Sequence, residues 1–538
     1  MKYLFVTGGV MSSLGKGLTA ACLGMLLEYR GIKVSLMKFD PYFNVDPGTM
    51  SPYQHGEVYV TDDGAETDLD LGHYWRYTHG FIGRESSVSS GQIFQEVILR
   101  ERRGDYLGQT VQMIPHVTDE IKRRIELCCQ KAKADLMIVE IGGTVGDIES
   151  LPYMEAIRQF KHENPKDCAN LHLTYVPFVK AAGEVKTKPT QQSVQILREI
   201  GLVPDLLVCR CETALSEDVK KKIALFCGVA IEGVIDEPDV QASIYEVPLM
   251  LQKGKLDQKV CELLCLHPKP ELNDHFLNDW APFLEKVWHP KQTLKMALVG
   301  KYVEHKDAYK SILESLNHAS LALDAKIEID FIDAETFDAQ KAKILLSGVH
   351  GCLIPGGFGS RGFEGKLHAI QYCREHKIPL FGICLGMQAI CVEWARNQLK
   401  KPQANSQEFD PQTPDPVVIL LTDTEAKAFY GGTMRLGAYT MRIDPQSKLS
   451  TIYGKLSVHE RHRHRYEINP SMTDVLAQSG LKITAVHESS GLCEAVEDPS
   501  HPWLVGVQFH PEFGSRVLEP HPLFISFCQA MAHFKVQS

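Results

Sequence analysis

The chain has 538 residues, too many for one compact core, and its 44% hydrophobic and 23% charged residues are the composition of a folded globular protein rather than a fibre or a disordered tail. Its 57 basic residues are outnumbered by 67 acidic ones, for a net charge of −10, which argues against a nucleic-acid coat. The 15 cysteines form no metal-ligand framework with histidines and read as reduced thiols, so a reducing, cytoplasmic compartment is expected. No apolar run approaches a membrane span, and Met1 to Val6 leads straight into a glycine loop, with no signal-peptide core.

The first half alternates short β-branched runs with helical patterns, the signature of a parallel sheet covered by helices. Tyr3 to Thr7 predicts a strand, Gly17 to Tyr29 a helix, and Ile32 to Lys38 a second strand after a stop at Gly31. Between the first strand and helix lies Gly8-Gly9-Val10-Met11-Ser12-Ser13-Leu14-Gly15-Lys16-Gly17-Leu18-Thr19, placed where backbone N–H groups and a helix N-terminus hold phosphate oxygens. The spacing departs from the common phosphate loop: Val10 stands at the first glycine position and Gly17 follows the lysine. A plain glycine-rich turn is the alternative.

Asp62, Asp63, Glu66, Asp68 and Asp70 form an acidic run that reads mostly as solvated loop. Leu136 to Ile141 predicts a buried strand, and Glu140 near its carboxyl end lies where open parallel sheets bind ligands. A turn-rich segment from Gly142 to Glu149 follows. Lys186-Thr187-Lys188-Pro189-Thr190-Gln191 puts two ammonium groups and two hydroxyls on a stiff stretch, equally a triphosphate cradle or an exposed basic loop. Leu206 to Cys209 predicts another strand.

Domains are expected at 1–266 and 293–538, joined by a linker at 267–292 that is rich in Pro, His, Trp and Asn and contains perhaps one helix. A second α/β series then runs through Leu294 to Val299, Ile327 to Ile332, Gly351 to Ile354 and Pro379 to Ile383. Gly382-Ile383-Cys384-Leu385-Gly386 ends that last strand and opens a helical pattern, Met387 to Arg396. Glycines flanking a nucleophile suit a strained strand-to-helix elbow, where the helix dipole favours a thiolate. Taken alone, the segment also reads as a tight turn holding a buried cysteine. Lys400 to Asp415 reads as a polar loop, and Arg461-His462-Arg463-His464-Arg465-Tyr466 as a solvated basic surface. Gln508-Phe509-His510-Pro511-Glu512 offers a base and a carboxylate two residues apart, which an extended backbone would turn to one side.

The Cys384 elbow with His510 and Glu512 resembles the class I glutamine amidotransferase family over residues 293 to 535. That likeness implies Cys384 as nucleophile, His510 as general base and Glu512 as its orienter. It further implies an oxyanion loop at Pro355-Gly356-Gly357-Phe358-Gly359 acting through the N–H groups of Gly357 and Leu385. Glutamine contacts are implied at Gly357, Leu385, Gly386, Met387, Gln388, Glu408 and Arg465.

The Ser12 to Gly17 loop, Ser51-Pro52-Tyr53-Gln54-His55-Gly56-Glu57-Val58, Glu101-Arg102-Arg103-Gly104-Asp105-Tyr106-Leu107-Gly108 and the Gly142 and Lys186 segments look, in that order, like the synthetase domain of the CTP synthase family. The resemblance then spans almost the whole chain. It implies an ATP-dependent amination of UTP to CTP in pyrimidine nucleotide biosynthesis, with glutamate, ADP and phosphate as by-products. By it Ser13, Leu14, Gly15, Lys16, Gly17, Leu18, Lys38 and Asp70 serve ATP, with adenine near Pro238 to Val240, although Pro238 stands where the family carries a basic residue. Asp70 and Glu140 would hold magnesium. Ser12, Asp147, Ile148, Glu149, Lys186, Thr187, Lys188, Pro189, Thr190, Gln191 and Lys222 would contact UTP or the inhibitory product CTP. The family also implies homotetramers, sometimes stacked into filaments, and allosteric activation by GTP near Arg361-Gly362-Phe363-Glu364.

Rival readings are another glutamine-dependent amidoligase, a partition-type nucleotide switch sharing only the glycine loop, and a filament protein with damaged catalytic positions. An intact Cys384, His510 and Glu512 set speaks against the last two.

Overall fold

The computed structural model describes residues 1–272, 275–420 and 434–537. They form two compact units, one of Met1–Pro47 and Asp70–Trp288, the other of Gly48–Leu69 and His289–Ser538. The architecture is α/β in both, as the alternating patterns predict.

Among the described residues the first unit is built on seven strands: β1 (Lys2–Gly8), β2 (Val34–Asp40), β3 (Ser87–Ser89), β4 (Leu136–Ile141), β5 (Cys168–Val176), β6 (Leu206–Cys211) and β7 (Val234–Pro238). All pair in parallel, in the order β7-β6-β5-β1-β4-β2-β3. Burial on both faces explains the near-continuous apolar runs: every residue of β2 and β4 is buried. From β1 the chain passes through helix α1 (Lys16–Tyr29) to one side of the sheet and later returns on the other, as β5. Such a reversal opens a crevice at the carboxyl ends of the strands, here around Gly8, Lys38 and Glu140. Two further helices, α2 (Lys188–Glu199) and α3 (Glu217–Cys227), carry the lysines of the Lys186 and Lys222 regions.

The stretch expected as a linker contributes helix α4 (His275–Trp288) to the first unit; its Asn273 and Asp274 lie outside the described residues. Trp280 is fully buried, stacks near Phe276 and donates its indole N–H to the Tyr245 carbonyl at 2.9 Å. The Pro, His and Trp composition that suggested a connector is that of an amphipathic core helix.

In the second unit a nine-stranded sheet runs β9-β8-β10-β11-β16-β15-β14-β12-β13. Its strands are β8 (Gln292–Gly300), β9 (Ala325–Asp333), β10 (Gly351–Ile354), β11 (Leu380–Ile383), β12 (Arg435–Ile443), β13 (Ser457–His464), β14 (Lys482–His487), β15 (Cys493–Glu497) and β16 (Leu504–Val507). From β9 to β16 the pairing is parallel, and the rest is antiparallel. Lys301, Pro355, Cys384 and Gln508 therefore follow the carboxyl ends of four neighbouring parallel strands. Phe381, Phe524 and Phe527 fill the core beneath, all fully buried.

Two loop expectations are corrected. Lys400 to Asp415 contains a strand, Ala404–Ser406, which joins Asp415–Leu420 and Tyr466–Ile468 in a small sheet. The acidic run is only partly solvated: Asp62 and Asp63 are exposed, the former meeting Arg461 Nε at 2.5 Å, but Asp68 is buried and Glu66 meets Arg463 Nε at 2.8 Å. Carboxylates answering guanidinium groups need not face water.

Because Trp280 anchors α4, Trp280→Ala is expected to cost the first unit about 3–5 kcal/mol, as large aromatic truncations do. Urea unfolding followed by circular dichroism measures this; a midpoint equal to wild type would mean that α4 is peripheral.

Candidate active sites

Helix α5 (Leu385–Asn397) begins directly at the end of β11, with Cys384 as its N-cap. To make the turn Cys384 takes φ 53°, ψ −106°, a strained conformation for a residue with a side chain. The flanking glycines are required by contact: a Cβ on Gly386 would sit 2.1 Å from the Ile354 carbonyl oxygen, and one on Gly382 2.7 Å from the Gly386 carbonyl carbon. The Cys384 amide donates to the Val507 carbonyl at 2.7 Å, pinning the elbow to β16. Leu385 and Gly386 open the helix, so their N–H groups are among those that an α-helix leaves without internal partners.

His510 follows β16, three residues past its end, and its Nδ1 lies 2.7 Å from Glu512 Oε1. The expected extended geometry is corrected here. Pro511–Gly514 forms a 3-10 turn, and it is this turn that folds the carboxylate back onto the imidazole. Burial disfavours the imidazolium, but the Glu512 carboxylate and the Cys384 thiol outweigh it and lift His510 to about 10. A Cβ on Gly356 would lie 3.0 Å from His510 Cε1 and 3.5 Å from Cys384 Cβ, so loop 355–359 passes directly over thiol and imidazole. A thiol, an imidazole held by a carboxylate and a glycine-rich backbone strip together suit nucleophilic attack on a carboxamide.

The residues implied for glutamine divide. Gln388 is buried and donates to the Tyr466 carbonyl at 2.9 Å, while Glu408 accepts from the Gly359 N–H at 2.6 Å. Arg465 is half-buried beside them, and its guanidinium acts on Glu408. The Met387 side chain points into the core, against Gly506, leaving only its backbone to meet a ligand.

The Arg461 to Tyr466 cluster is not the solvated surface that its composition suggests. It forms the end of β13, with Arg461, His462 and His464 buried. His462 Nε2 lies 2.7 Å from Glu494, whose other oxygen accepts from Arg435 at 2.6 Å. Arg461 reaches residues 48–69, donating to Tyr59 Oη at 2.5 Å, and both Arg461 and Tyr59 donate to the Phe513 carbonyl at 2.9 Å, next to Glu512. Glu57 accepts from the Ser311 amide at 2.8 Å. A cavity of about 190 Å³ opens beside His510, Glu512, Gly356 and Gly357, walled by Gly48, Met50 and Val58. Sequence reading missed this packing because the partners lie some 400 positions apart.

At the first unit's crevice Gly15 takes φ 89°, and Lys16 donates to the Gly143 carbonyl at 2.8 Å. One departure from the common loop now has a reason: a Cβ on Gly17 would sit 2.3 Å from Asp70 Oδ1 and 3.1 Å from Asp70 Cβ, so with Asp70 in this place the position after the lysine favours glycine. Val10 takes φ 81°, a backbone that itself favours glycine, and nothing in the structure explains the valine. Lys38 pairs with Asp40 at 3.1 Å and, more closely, with Asp70. Tyr74 donates to Glu140. Burial and the neighbouring Asp70 carboxylate raise Glu140 to about 7, while burial lowers Lys16.

Around this loop Ser12 and Ser13 are exposed, Leu14 is buried and Leu18 is partly buried; Val240, past β7, is half-buried. Asp147, Ile148 and Glu149 are exposed on a turn whose Gly146 faces Ile196 of α2. Lys186 pairs with Glu184, on which Lys222 also acts. Lys188 and Pro189 open α2, Gln191 donates to Thr187 Oγ1 at 3.0 Å, and Thr190 bonds Thr174 across to β5 at 2.8 Å. A neutral strut was not foreseen: buried His172, pushed to about 3 by burial, bridges Thr7 of β1 at 2.9 Å and Ser193 of α2 at 2.8 Å.

Since folded His510 holds its proton to about pH 10 against an ordinary value of 6.5, its contribution to stability is complete below pH 6.5 and fades as pH rises toward 10. Glu512→Gln removes the carboxylate that raises it and is expected to flatten the alkaline fall in melting temperature. An unchanged slope would contradict the pairing.

Comparison with known proteins shows the family. The family description "CTP synthase N-terminus" matches residues 2–266, and "Glutamine amidotransferase class-I" matches residues 304–530. A CTP synthase of Protochlamydia amoebophila is 55% identical over 534 residues, covering 98% of each chain. One of Chlamydia trachomatis serovar D is 54% identical over 537 residues, covering 100% of this chain and 98% of its own. The solved "Trypanosoma brucei CTPS - glutaminase domain with bound acivicin" is 38% identical, with a TM-score of 0.42, over 45% of this chain and 94% of its own. With both descriptions matched in order and more than half of the residues shared with full-length relatives, the chain belongs to the CTP synthase family.

Proposed function

We propose that the chain makes CTP from UTP, ATP and glutamine. The observation that carries the reading is the Cys384 elbow with the His510–Glu512 pair beside it, in the same polypeptide as a phosphate loop flanked by buried carboxylates.

In the second unit Cys384 sulfur, its proton passed to His510, adds to the glutamine side-chain carbonyl. The N–H groups of Gly357 and Leu385 take the oxyanion. The tetrahedral adduct collapses to a thioester as His510 returns the proton to the departing ammonia. Water, deprotonated by His510, then releases glutamate and restores the thiol. Glu408 and Arg465 offer opposite charges suited to the ammonium and carboxylate of the amino acid, and the cavity beside His510 leaves room for the ammonia.

In the first unit the uracil 4-oxygen displaces ADP from the ATP γ-phosphorus. Ammonia adds at C4, loses a proton, and phosphate leaves with the former oxygen. Lys16 and Lys38 would balance phosphate charge, with Ser13 to Leu18 wrapping the chain of phosphates and the Pro238–Val240 turn taking adenine. Ser12, residues 147–149, 186–191 and Lys222 would receive UTP or CTP. Asp70 and Glu140 fit a divalent cation: two carboxylates, the first of which raises the proton affinity of the second, offer hard oxygen ligands, and phosphate and water would complete the shell. Magnesium bound there supplies charge neutralisation during phosphoryl transfer.

We infer activation by GTP near Arg361–Glu364, feedback by CTP and a homotetramer from the likeness to the family. Leu107, Ile148 and Leu225, 91%, 80% and 78% exposed, are apolar surface that further copies of the chain would cover. A cytoplasmic location accords with 15 free cysteines and with the lack, among the described residues, of any helix long and apolar enough to cross a membrane.

Purified protein with UTP, ATP and magnesium is expected to form CTP with either glutamine or ammonia. Cys384→Ala should lose the glutamine-dependent reaction and keep the ammonia-dependent one, whereas Lys16→Ala should lose both. Full glutamine-dependent turnover by Cys384→Ala would overturn the thiol assignment.

A further inference from the structure

Loop 355–359 carries two consecutive glycines over the thiol, and neither has a side chain with which to hold its place. The anchors lie on either side. At the near end the Lys366 ammonium, 1% exposed, donates to the Pro355 carbonyl at 3.2 Å. At the far end one peptide group is gripped at both poles. Lys301 donates to the Phe358 carbonyl, and the N–H of the same peptide, that of Gly359, donates to Glu408 Oε1 at 2.6 Å. Lys301 also donates to the Gly359 carbonyl at 2.8 Å.

The ammonium of Lys301 is costly where it lies. The residue is 6% exposed, and burial lowers its proton affinity, with Glu408 opposing. A side chain of similar volume without charge would fill the space at no desolvation cost. Its backbone is fixed as well: it leaves β8 next to β10, the strand that feeds the loop, and its N–H donates to Tyr309 Oη at 2.9 Å. A charge kept in such a place, on two carbonyls of one turn, has an electrostatic task.

We propose that Lys301 is a positioning residue for the glutaminase reaction: with Glu408 opposite, it fixes the plane of the Phe358–Gly359 peptide and so holds the Gly357 N–H toward the developing oxyanion. Glu408 then has two duties, one oxygen on the loop and one for the amino acid. The inference rests on the Cys384 reading above. Lys301 touches no reacting atom; its effect passes through the loop, and it belongs in kcat rather than in KM.

The test is steady-state kinetics on the full chain with Lys301→Met, with glutamine and with ammonia as nitrogen donors. Misplacing an oxyanion donor costs less than deleting one, so kcat with glutamine is expected to fall roughly 10- to 100-fold, with KM for glutamine within about threefold of wild type. The ammonia-dependent rate should stay within about twofold, which also reports intact folding. Should the methionine variant prove insoluble, Lys301→Gln, an uncharged donor, takes its place with a smaller loss of the same pattern. A glutamine kcat within twofold of wild type overturns the proposal, as does an equal fall in both rates. Cys384→Ala run alongside separates the failures. Full glutamine turnover there sinks the thiol reading and this inference together, while lost turnover there with unchanged kcat in Lys301→Met sinks this inference alone.

Discussion

The second unit is organised around a backbone constraint at residue 384. Strand β11 must stop, reverse and become a helix within one residue, and the chain accepts a positive φ at a cysteine to do it. Such strain costs on the order of 1–3 kcal/mol and persists only where surrounding contacts over-determine it. Those contacts are the glycines 382 and 386, which let the elbow fold against Ile354, and the hydrogen bond from the Cys384 amide to β16. The same bond ties the thiol to the strand that delivers His510. Thiol, imidazole and glycine-rich loop thus descend from neighbouring parallel strands, and the sheet sets their spacing before any side chain contributes.

The first unit meets a different problem, since its crevice concentrates charge in a buried place. Lys16, Lys38, Asp40, Asp70 and Glu140 lie together with little water to screen them, and the raised proton affinity of Glu140 and the lowered one of Lys16 record the cost. A site so balanced is primed for a ligand of opposite and compensating charges. Gly17 belongs to this arrangement: what looked like a defect in a phosphate-loop pattern is the clearance that lets Asp70 approach the start of α1.

Much of this was legible in the sequence where local chemistry decides structure. The elbow, the glycine loop and several strands of each sheet follow from punctuation and periodicity over a few residues, as Leu136–Ile141 and Gly351–Ile354 illustrate, whereas Cys168–Val176 and the antiparallel strands from Arg435 onward were not foreseen. The relation of His510 to Glu512 was foreseen through the wrong geometry, an extended strand where Pro511 starts a tight turn. Less visible was whatever depends on distant partners. Glu66 read as solvated because its partner Arg463 lies 397 positions away, and Arg461 and Arg463 read as surface because Asp62 and Glu66 are equally remote from them. Lys301 carried no signal beyond its place after an apolar strand. A helix was foreseen in the stretch of α4, but its packing was not, because Trp280 bonds to Tyr245, 35 positions away.

Residues 48–69 have a bearing on how such a protein diversifies. Although they belong to the sequence of one half, Glu57, Asp62 and Glu66 bond to Ser311, Arg461 and Arg463 of the other. Exchanging halves between two family members at a crossover near residue 289 would seat a foreign segment against Arg461 and Arg463. The halves are therefore expected to be inherited as a matched pair, with compatibility written at positions 62 and 66 rather than at the junction.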